Sequence, residues 1–459
     1  MIRPLVHLTA TGWLNDPNGL VVVDGRFHAY FQHHPDSTSW GPMHWGHAVS
    51  TDLLRWESRP IALSPDEHGT IFSGSAVLDS MNTAGLGAGS VVAWFTYHHE
   101  HLGERQGRAW SLDGGETFVK DDGPLLTAEG EPDFRDPKVF RFVSRDGGAD
   151  LDHDHGDGWW VMLVAVGRSV WVLISDDLRS WTRTQVLTGH FDEGAVWETP
   201  ELMRVHDPAG ASVEVLTIGL GSGSPSGSSG VQAMVVTFDG RTLRPEAPAF
   251  WVDHGTDFYA AQAWNGAPDG DPIWVGWMGN WRVPEPFPAD DWRGQLSIPR
   301  RVTAIRAGGE LRLAQHPVGV DDLLGGSGVE HHVVHDGTAR DLEPIRRAGA
   351  LRLEAMTPGA VELQLRRGED TVVVRWEVGD GSLLATSSAT PWVVPEPAPP
   401  VPTGEVRELR AIVDVASVEI FCGAAAYSFA VVADARPWRV RVVAIGTDVR
   451  GAVGEWTDA

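Results

Sequence analysis

VLISDDLRSW, at residues 172–181, places an apolar strand directly before a Ser-x-Asp turn and ends on a tryptophan. The same pattern, with Ser or Thr at the first turn position, occurs three more times, in HAVSTDLLRW (47–56), RAWSLDGGETF (108–118) and VVTFDGRTL (235–243). The four shared aspartates are separated by 61, 64 and 62 residues. A steady period of this kind indicates a repeat architecture, and each unit has room for a four-stranded propeller blade.

A second set of polar residues recurs with nearly the same period. Its members, at intervals of 59, 61, 62 and 59 residues, are Asp16, Ser75, Asp136, Glu198 and Asp257. Because the innermost strands of propeller blades line one central channel, equivalent positions on those strands should converge. The sequence therefore predicts a ring of polar groups that contains the carboxylates of Asp16, Asp136 and Glu198.

Composition favours an all-β protein and argues against some classes of partner. Among the 459 residues there are 53 Gly, 30 Pro and 21 Trp, and short β-type runs are separated by Gly, Asp and Pro. The net charge of −26 disfavours binding to nucleic acid or to anionic membranes. We expect a small-molecule or oligosaccharide substrate, no nucleic-acid or membrane partner, and leave a homo-oligomer as an open alternative.

The last third of the chain lacks the period. It contains alternating strands such as VELQLRRGEDTVVVRWEV (361–378) and LRAIVDVASVEIFCG (409–423), which are typical of a β-sandwich. We therefore predict a five-bladed β-propeller catalytic domain over residues 1–318 and a C-terminal β-sandwich domain over residues 319–459.

Clustered carboxylates suit glycoside hydrolysis, in which one acid must be ionised and a second must be protonated. Polar neighbours such as Asn15 are expected to keep Asp16 ionised, whereas a less polar setting is expected to keep Glu198 protonated. The adjacent Arg135 is expected to favour the charged form of Asp136.

Six motifs resemble, in this order, those of glycoside hydrolase family 32: WLNDPNG (13–19), WGPMHWGHAVS (40–50), FSGSAV (72–77), FRDPKVF (134–140), WETPEL (197–202) and WRGQLSIPR (292–300). That family comprises invertases, fructan hydrolases and related fructosyltransferases. The resemblance implies a five-bladed propeller followed by a β-sandwich, and cleavage of β-fructofuranosyl bonds with retention of configuration.

The resemblance also implies residue roles. Asp16 would attack the anomeric C2, Glu198 would act as general acid and then base, and Asp136 would stabilise the transition state. The carboxyl groups of Asp16 and Glu198 should then lie about 5–5.5 Å apart. Thr199 stands where the family usually has Cys. A hydroxyl can also hydrogen-bond the Glu198 carboxyl, so we expect an altered pH profile rather than a loss of activity. The substrate-binding residues that the resemblance implies are Asn15, Gln32, Trp40, Ser75, Arg135 and Trp281.

The favoured function is that of a β-fructofuranosidase, or invertase, acting on sucrose or short fructo-oligosaccharides. A fructosyltransferase and an exo-fructanase acting on inulin or levan would use the same residues, and a non-catalytic carbohydrate-binding propeller is the alternative from another class. Trp45, like Trp40 and Trp281, is a candidate wall of the sugar site. The N-terminal residues lack a secretory pattern, so we expect a cytoplasmic location.

Neither a metal nor a cofactor is expected. HHEH (98–101) and DHDHGD (152–157) lack convincing ligand spacing. GLGSGSPSGSSG (219–230) lacks the Lys-Ser/Thr of a phosphate-binding loop, and we predict a mobile loop there. Cys422, the only cysteine, is expected to be a buried packing residue.

Overall fold

The computed structural model describes residues 2–145, 148–151, 158–192, 194–268, 270–285, 291–326, 329–378, 381–388 and 400–456. These residues form an all-β protein with one six-residue helix, which confirms the predicted class. The DHDHGD stretch lies outside the described residues. No helix in the described ranges is long and apolar enough to cross a membrane.

The part of the chain up to Pro317 contributes strands β1 to β23. Their bounds are β1 (Gly12–Val23), β2 (Arg26–His34), β3 (His44–Ser50), β4 (Glu57–Leu63), β5 (Thr70–Asp79), β6 (Ser90–His99), β7 (Gly103–Ser111), β8 (Val119–Lys120), β9 (Phe134–Arg145), β10 (Gly148–Leu151), β11 (Gly158–Val166), β12 (Ser169–Ser175), β13 (Thr182–Thr188), β14 (Trp197–His206), β15 (Ser212–Leu220), β16 (Gly230–Phe238), β17 (Leu243–Pro245), β18 (Phe250–Trp251), β19 (Tyr259–Ala263), β20 (Ile273–Trp277), β21 (Trp292–Arg293), β22 (Arg300–Ala307) and β23 (Glu310–Pro317).

These strands form five sheets. Their orders are β21-β1-β2-β3-β4, β5-β6-β7-β8, β10-β9-β11-β12-β13, β14-β15-β16-β17 with β18 also on β16, and β19-β20-β22-β23. β21 pairs in parallel with β1, where Gly12 lies opposite Trp292. A late segment of the chain therefore completes the sheet that the first strand begins.

Apolar clusters fill the space between successive sheets, and one of them joins the fifth sheet back to the first. Residue pairs that share a cluster across two sheets are Val21 and Ile71, Val92 and Trp160, Phe140 and Leu216, Met203 and Val302, and Trp13 and Trp277. Because each sheet packs on the next and the last packs on the first, the β1, β5, β9, β14 and β19 strands are brought towards one another.

Each of these five strands is irregular near a residue of the predicted ring. The antiparallel register shifts between Leu14 and Pro17, Phe72 and Gly74, Arg135 and Lys138, Glu198 and Glu201, and Tyr259 and Gln262. Asp136, Thr199 and Ala260 have positive φ angles of 64°, 48° and 52° inside these bulges. A bulge turns a side chain out of the regular alternation, and bulges are common beside active sites.

The chain after Pro317 contributes α1 (Val320–Gly325) and two six-stranded sheets, ordered β24-β35-β26-β31-β32-β33 and β25-β34-β27-β28-β29-β30. The bounds are β24 (Glu330–Val334), β25 (Ala339–Ile345), β26 (Ala348–Ala355), β27 (Ala360–Arg367), β28 (Asp370–Glu377), β29 (Ser382–Ser387), β30 (Val401–Pro402), β31 (Glu408–Asp414), β32 (Ser417–Cys422), β33 (Ala425–Ala430), β34 (Trp438–Ile445) and β35 (Val449–Trp456). Alternate residues of both sheets, such as Leu353 and Leu363, form one shared core. Cys422 is buried in that core, as predicted.

A buried group of charged side chains joins the two parts of the chain, and we call it the junction cluster: His7, Asp253, Arg300, Asp414 and Glu419. Arg300 lies 3.1 Å from Asp253 and also contacts Glu419 on β32. The two ring nitrogens of His7 lie 3.0 Å from Asp414 and 2.8 Å from Glu419. All five side chains are at most 2% exposed.

Candidate active site

Asp16 lies in the β1 bulge with both carboxylate oxygens hydrogen-bonded. The Asn15 amide donates to Oδ1 at 3.0 Å, and the Ser73 hydroxyl donates to Oδ2 at 2.8 Å. Burial and the charge of Glu198 raise the pKa of Asp16 to about 6, against the two hydrogen bonds, which lower it. Asp16 therefore ionises near pH 6 and carries its negative charge at neutral pH.

Glu198 lies at the start of β14 and is held from two sides. Arg135 of β9 lies 3.1 Å from its Oε1, and the Tyr259 hydroxyl donates a hydrogen bond to its Oε2. The side chain is 21% exposed. One carboxylate oxygen is thus fixed by a cation and the other by a phenol.

Asp136 lies in the β9 bulge, where the Thr199 backbone N–H donates to its Oδ2 at 2.9 Å. Burial and the charge of Glu198 raise the pKa of Asp136 well above its usual range, more than Arg135 lowers it. Arg135 does favour the charged form of Asp136, as expected, but burial and the charge of Glu198 outweigh it. The direct contact of the guanidinium is with Glu198.

The structure thus brings Asp16, Asp136 and Glu198 together from three sheets, and we call them the carboxylate cluster. They are close enough for the charges of Asp16 and Glu198 to raise the pKa of Asp136. The fourth predicted acid of the ring, Asp257, is not among them. Its carboxylate accepts hydrogen bonds from the Asn280 amide at 2.9 Å and from the Ala430 N–H of β33 at 3.0 Å.

The fifth strand instead contributes Tyr259, two residues after Asp257. Ser75 is buried, and its hydroxyl donates to the Pro137 carbonyl at 2.8 Å and accepts from the Val139 N–H at 2.8 Å. The serine hydroxyl that contacts Asp16 is that of Ser73. The period thus predicts which strands meet, but the bulges decide which side chain on each strand reaches the cluster.

The other predicted binding residues lie at different depths. Asn15 accepts a hydrogen bond from the Trp13 indole at 2.7 Å, so its side chain is fixed between Trp13 and Asp16. Gln32 is buried and donates to Asn18 at 2.8 Å and to the Ile71 carbonyl at 3.1 Å.

The predicted aromatic residues separate into exposed and buried positions. Trp40 is 47% exposed and meets Phe72 edge-on, with ring centroids 5.8 Å apart. Trp281 is half-buried, with its ring 5.0 Å from that of Trp277. Trp45 is fully buried and donates to the Phe72 carbonyl, so the expectation that it forms a wall of the site is wrong.

Two further expectations are corrected by the packing around the site. The Thr199 hydroxyl is buried and has no hydrogen-bond partner among the described residues, so it does not bond the Glu198 carboxyl. The serine-rich loop is packed rather than loose: Ser224 and Ser228 are buried, and Ser228 donates to the Thr256 carbonyl at 3.1 Å. The next serine, Ser229, accepts a hydrogen bond from the Trp281 N–H at 3.0 Å.

Three residues of the site were not found by sequence reasoning: Ser73, Glu104 and Tyr259. Ser73 lies in FSGSAV, two residues before Ser75, the position that the period selects. Glu104 binds Arg135 through the pairing of β6 and β7, which no local pattern specifies.

Within the described ranges, no three His, Cys, Asp or Glu side chains are placed to hold a metal ion.

Comparison with known proteins agrees with this geometry. Residues 7–317 match the model of the glycosyl hydrolases family 32 N-terminal domain. Levanase of Bacillus subtilis (strain 168) is 35% identical over 448 residues, which cover 91% of this chain and 64% of levanase. Extracellular exo-inulinase of Aspergillus awamori is 34% identical over 345 residues, which cover 66% of this chain and 62% of that protein. The chain thus spans slightly less than two thirds of the length of these curated relatives.

Solved structures of related proteins also share the fold of this chain. The crystal structure of exo-inulinase from Aspergillus awamori superposes with a TM-score of 0.85 at 26% identity, covering 99% of this chain and 98% of that chain. A fructofuranosidase from Schwanniomyces occidentalis complexed with fructose has the same fold, with a TM-score of 0.81. The family model covers more than half of the chain, and the chain belongs to glycosyl hydrolase family 32.

Proposed function

We propose that this protein is a retaining glycoside hydrolase that releases β-fructofuranosyl units from sucrose or short fructo-oligosaccharides. The observation that carries the proposal is the convergence of Asp16, Asp136 and Glu198 from β1, β9 and β14. Two acids flanking one bond can supply a nucleophile and a proton donor, which glycoside hydrolysis requires.

In the first step, an Asp16 carboxylate oxygen attacks C2 of the fructosyl unit. As the bond between C2 and the glycosidic oxygen breaks, Glu198 donates its proton to that oxygen, and a fructosyl ester of Asp16 forms. In the second step, the Glu198 carboxylate accepts a proton from water while the water oxygen attacks C2 and displaces Asp16. Two inversions at C2 give net retention, for which the two carboxyl groups should lie about 5–5.5 Å apart.

The remaining residues would bind and orient the sugar. Asp136 accepts hydrogen bonds from fructose hydroxyls as positive charge develops at C2, and Asn15 and Arg135 orient the reacting groups. Trp40 and Trp281 offer aromatic faces to the sugar rings. Gln32 and Ser75, whose polar groups are bonded to the protein, would act mainly by fixing the backbone around the site.

We infer that the five sheets up to residue 318 are the blades of a five-bladed β-propeller, and that residues 319–459 form a β-sandwich. The cyclic order of the apolar clusters supports the propeller, because the cluster containing Trp13 and Trp277 joins the last sheet to the first. The shared core of the two six-stranded sheets supports the sandwich.

Release of terminal fructose from a fructan is the second candidate. The match to levanase covers 91% of this chain, whereas the match to invertase of Schizosaccharomyces pombe covers 66%. The similarity to levanase therefore extends beyond the strands that carry the acids, which supports a fructan as an additional substrate.

The test is a product survey over sucrose, inulin and levan, with glucose and fructose measured separately. Hydrolysis of sucrose releases both sugars equally, whereas fructosyl transfer leaves glucose in excess of fructose. NMR of the first product should show β-fructofuranose, because configuration is retained. Asp16→Ala serves as the control and should lose activity by on the order of 10⁴-fold. A wild-type protein that binds these sugars but releases no fructose would contradict the proposal.

A further inference from the structure

The hairpin of β6 and β7 supports the segment that carries Arg135 and Asp136. Cross-strand pairs on one face of this hairpin are Thr96 with Gln106 and His98 with Glu104. The Thr96 hydroxyl accepts from the Asp136 N–H at 3.0 Å, and the Gln106 amide donates to the Phe134 carbonyl at 2.6 Å. The Thr96–Gln106 pair therefore holds the backbone of the segment that carries Arg135 and Asp136. The His98–Glu104 pair is left to contact the side chains of that segment.

Glu104 binds the Arg135 side chain. Nη1 of Arg135 donates to both carboxylate oxygens of Glu104, at 3.0 Å each, and to Asp133 at 2.8 Å. The same guanidinium lies 3.1 Å from Glu198. One cation is therefore shared among three carboxylates, of which only Glu198 belongs to the carboxylate cluster.

This sharing matters because a general acid must hold its proton until the leaving oxygen takes it. A guanidinium bound to Glu198 alone would favour the ionised form and weaken Glu198 as an acid. The negative charge of Glu104 offsets part of that effect, and its two hydrogen bonds keep Arg135 in place. Asp133 is 35% exposed and Glu104 is 9% exposed, so solvent screens Glu104 less.

We propose that Glu104 is a positioning residue that fixes the Arg135 guanidinium against Glu198 and offsets part of its positive charge there. This inference rests on the proposed hydrolase function. His98, the first residue of the HHEH stretch, lies 3.5 Å from Glu104, so this stretch begins beside the proposed positioning residue.

Other charged groups around these side chains do not replace Glu104. Glu198 is faced by Asp16 from β1, Asp136 and Arg135 from β9, and Tyr259 from β19. Glu104 is faced by His98 from β6 and by Arg135. His98 is 42% exposed, so solvent weakens its interaction with Glu104.

The test is Glu104→Gln, which removes the charge and keeps the shape. On sucrose, whose leaving oxygen needs a proton, we expect the alkaline limb of the kcat/KM profile to move about one pH unit lower. An aryl β-fructofuranoside with a nitrophenol leaving group needs no proton, so its hydrolysis should fall much less. The ratio of the two activities above neutral pH should then change by about tenfold.

Two variants serve as controls for this experiment, and a third is an alternative to Glu104→Gln. Glu100→Gln, at the exposed turn of the same hairpin, makes the same charge change and should keep the wild-type profile. Glu104→Asp keeps a carboxylate near Arg135 and should retain most of the wild-type position of the limb. Should Glu104→Gln not fold, Glu104→Ser removes the same charge and is expected to give the same shift.

Suppose that the alkaline limb and the activity ratio are both unchanged in a folded Glu104→Gln or Glu104→Ser variant. That result would overturn the proposed role of Glu104. Wild-type turnover of both substrates tests the proposed function separately. A wild-type protein that hydrolyses neither substrate would overturn both proposals.

Discussion

The carboxylate cluster and the junction cluster are both buried groups of charged residues, yet the pKa of Asp16 in the first and that of Glu419 in the second move in opposite directions. Burial and neighbouring negative charge raise the pKa of Asp16 to about 6. In the junction cluster, burial also opposes charge, but Arg300 and His7 overcome it and lower the pKa of Glu419. Burial alone therefore does not decide the protonation state of an acid in this protein.

The difference lies in the number of cations. Arg135 is the one cation beside the carboxylate cluster in the described residues, and it also binds Glu104 and Asp133. The junction cluster has Arg300 and His7 for its three acids. Burial opposes the charge on His7, but hydrogen bonds to Asp414 and Glu419 raise its pKa to about 9. The first arrangement raises the pKa of Asp16 and Asp136, which suits the proposed hydrolysis, and the second joins two parts of the chain.

Arg300→Met should produce the largest change in stability. It leaves Asp253 and Glu419 buried without their shared cation, and breaking a buried ion pair costs about 3–5 kcal/mol. Urea denaturation at pH 7 measures the loss. Arg244→Met is the matched control, because its ion pair with Asp239 is exposed and should contribute less than about 1 kcal/mol. Equal losses in the two variants would contradict the importance of the junction cluster.

The junction cluster should also lose stability in alkali. Because the pKa of His7 is about 9 in the folded protein and 6.5 in its ordinary state, its contribution is complete below pH 6.5. That contribution, on the order of 3 kcal/mol, is lost as the pH rises through 9. Denaturation of the wild type and of His7→Gln between pH 6 and 10 measures it. The difference between the two proteins should shrink with rising pH, and a constant difference would contradict the prediction.

Asp16→Asn should have the opposite effect on stability. The folded state holds the Asp16 proton more tightly than the unfolded state, so the ionised group destabilises the fold above pH 6. Replacing it should stabilise the protein by up to about 3 kcal/mol at pH 7.5 and by little at pH 4. Urea denaturation at the two pH values measures this gain. If Asp16→Asn is inactive but no more stable than the wild type at pH 7.5, the charge of Asp16 does not destabilise the fold, and the contrast with the junction cluster is lost.

Ser73→Ala should have the smallest effect, on the acidic limb of the kcat/KM profile. In the proposed mechanism Asp16 must be ionised to attack C2, so activity should fall as the pH drops through about 6. The Ser73 hydroxyl lowers the pKa of Asp16, and its removal should move the limb upward by about half to one pH unit. Activity at pH 8 should change little. Ser73→Thr restores a hydroxyl, and a limb that stays at its wild-type position in Ser73→Ala would contradict this account.

Sequence reasoning predicted the all-β class and the meeting of Asp16, Asp136 and Glu198, because repeat units of similar length bring equivalent strands together. It failed at Asp257, since the fifth unit turns that residue towards β33 and supplies Tyr259 instead. It could not find Glu104, because the contact with Arg135 depends on the register of a hairpin. The raised pKa of Asp136 was also out of reach, since it follows from burial and from the nearby charge of Glu198 in three dimensions.

The bulges that carry the acids have a consequence for how the protein can change. Asp16, Asp136 and Thr199, next to Glu198, lie within or beside irregular points of strands rather than in connecting loops. Insertions or deletions in the surrounding loops can therefore reshape the entrance while the reacting atoms stay where the ladders hold them. Grafting such loops between relatives is a route to a new preferred chain length on an unchanged catalytic frame.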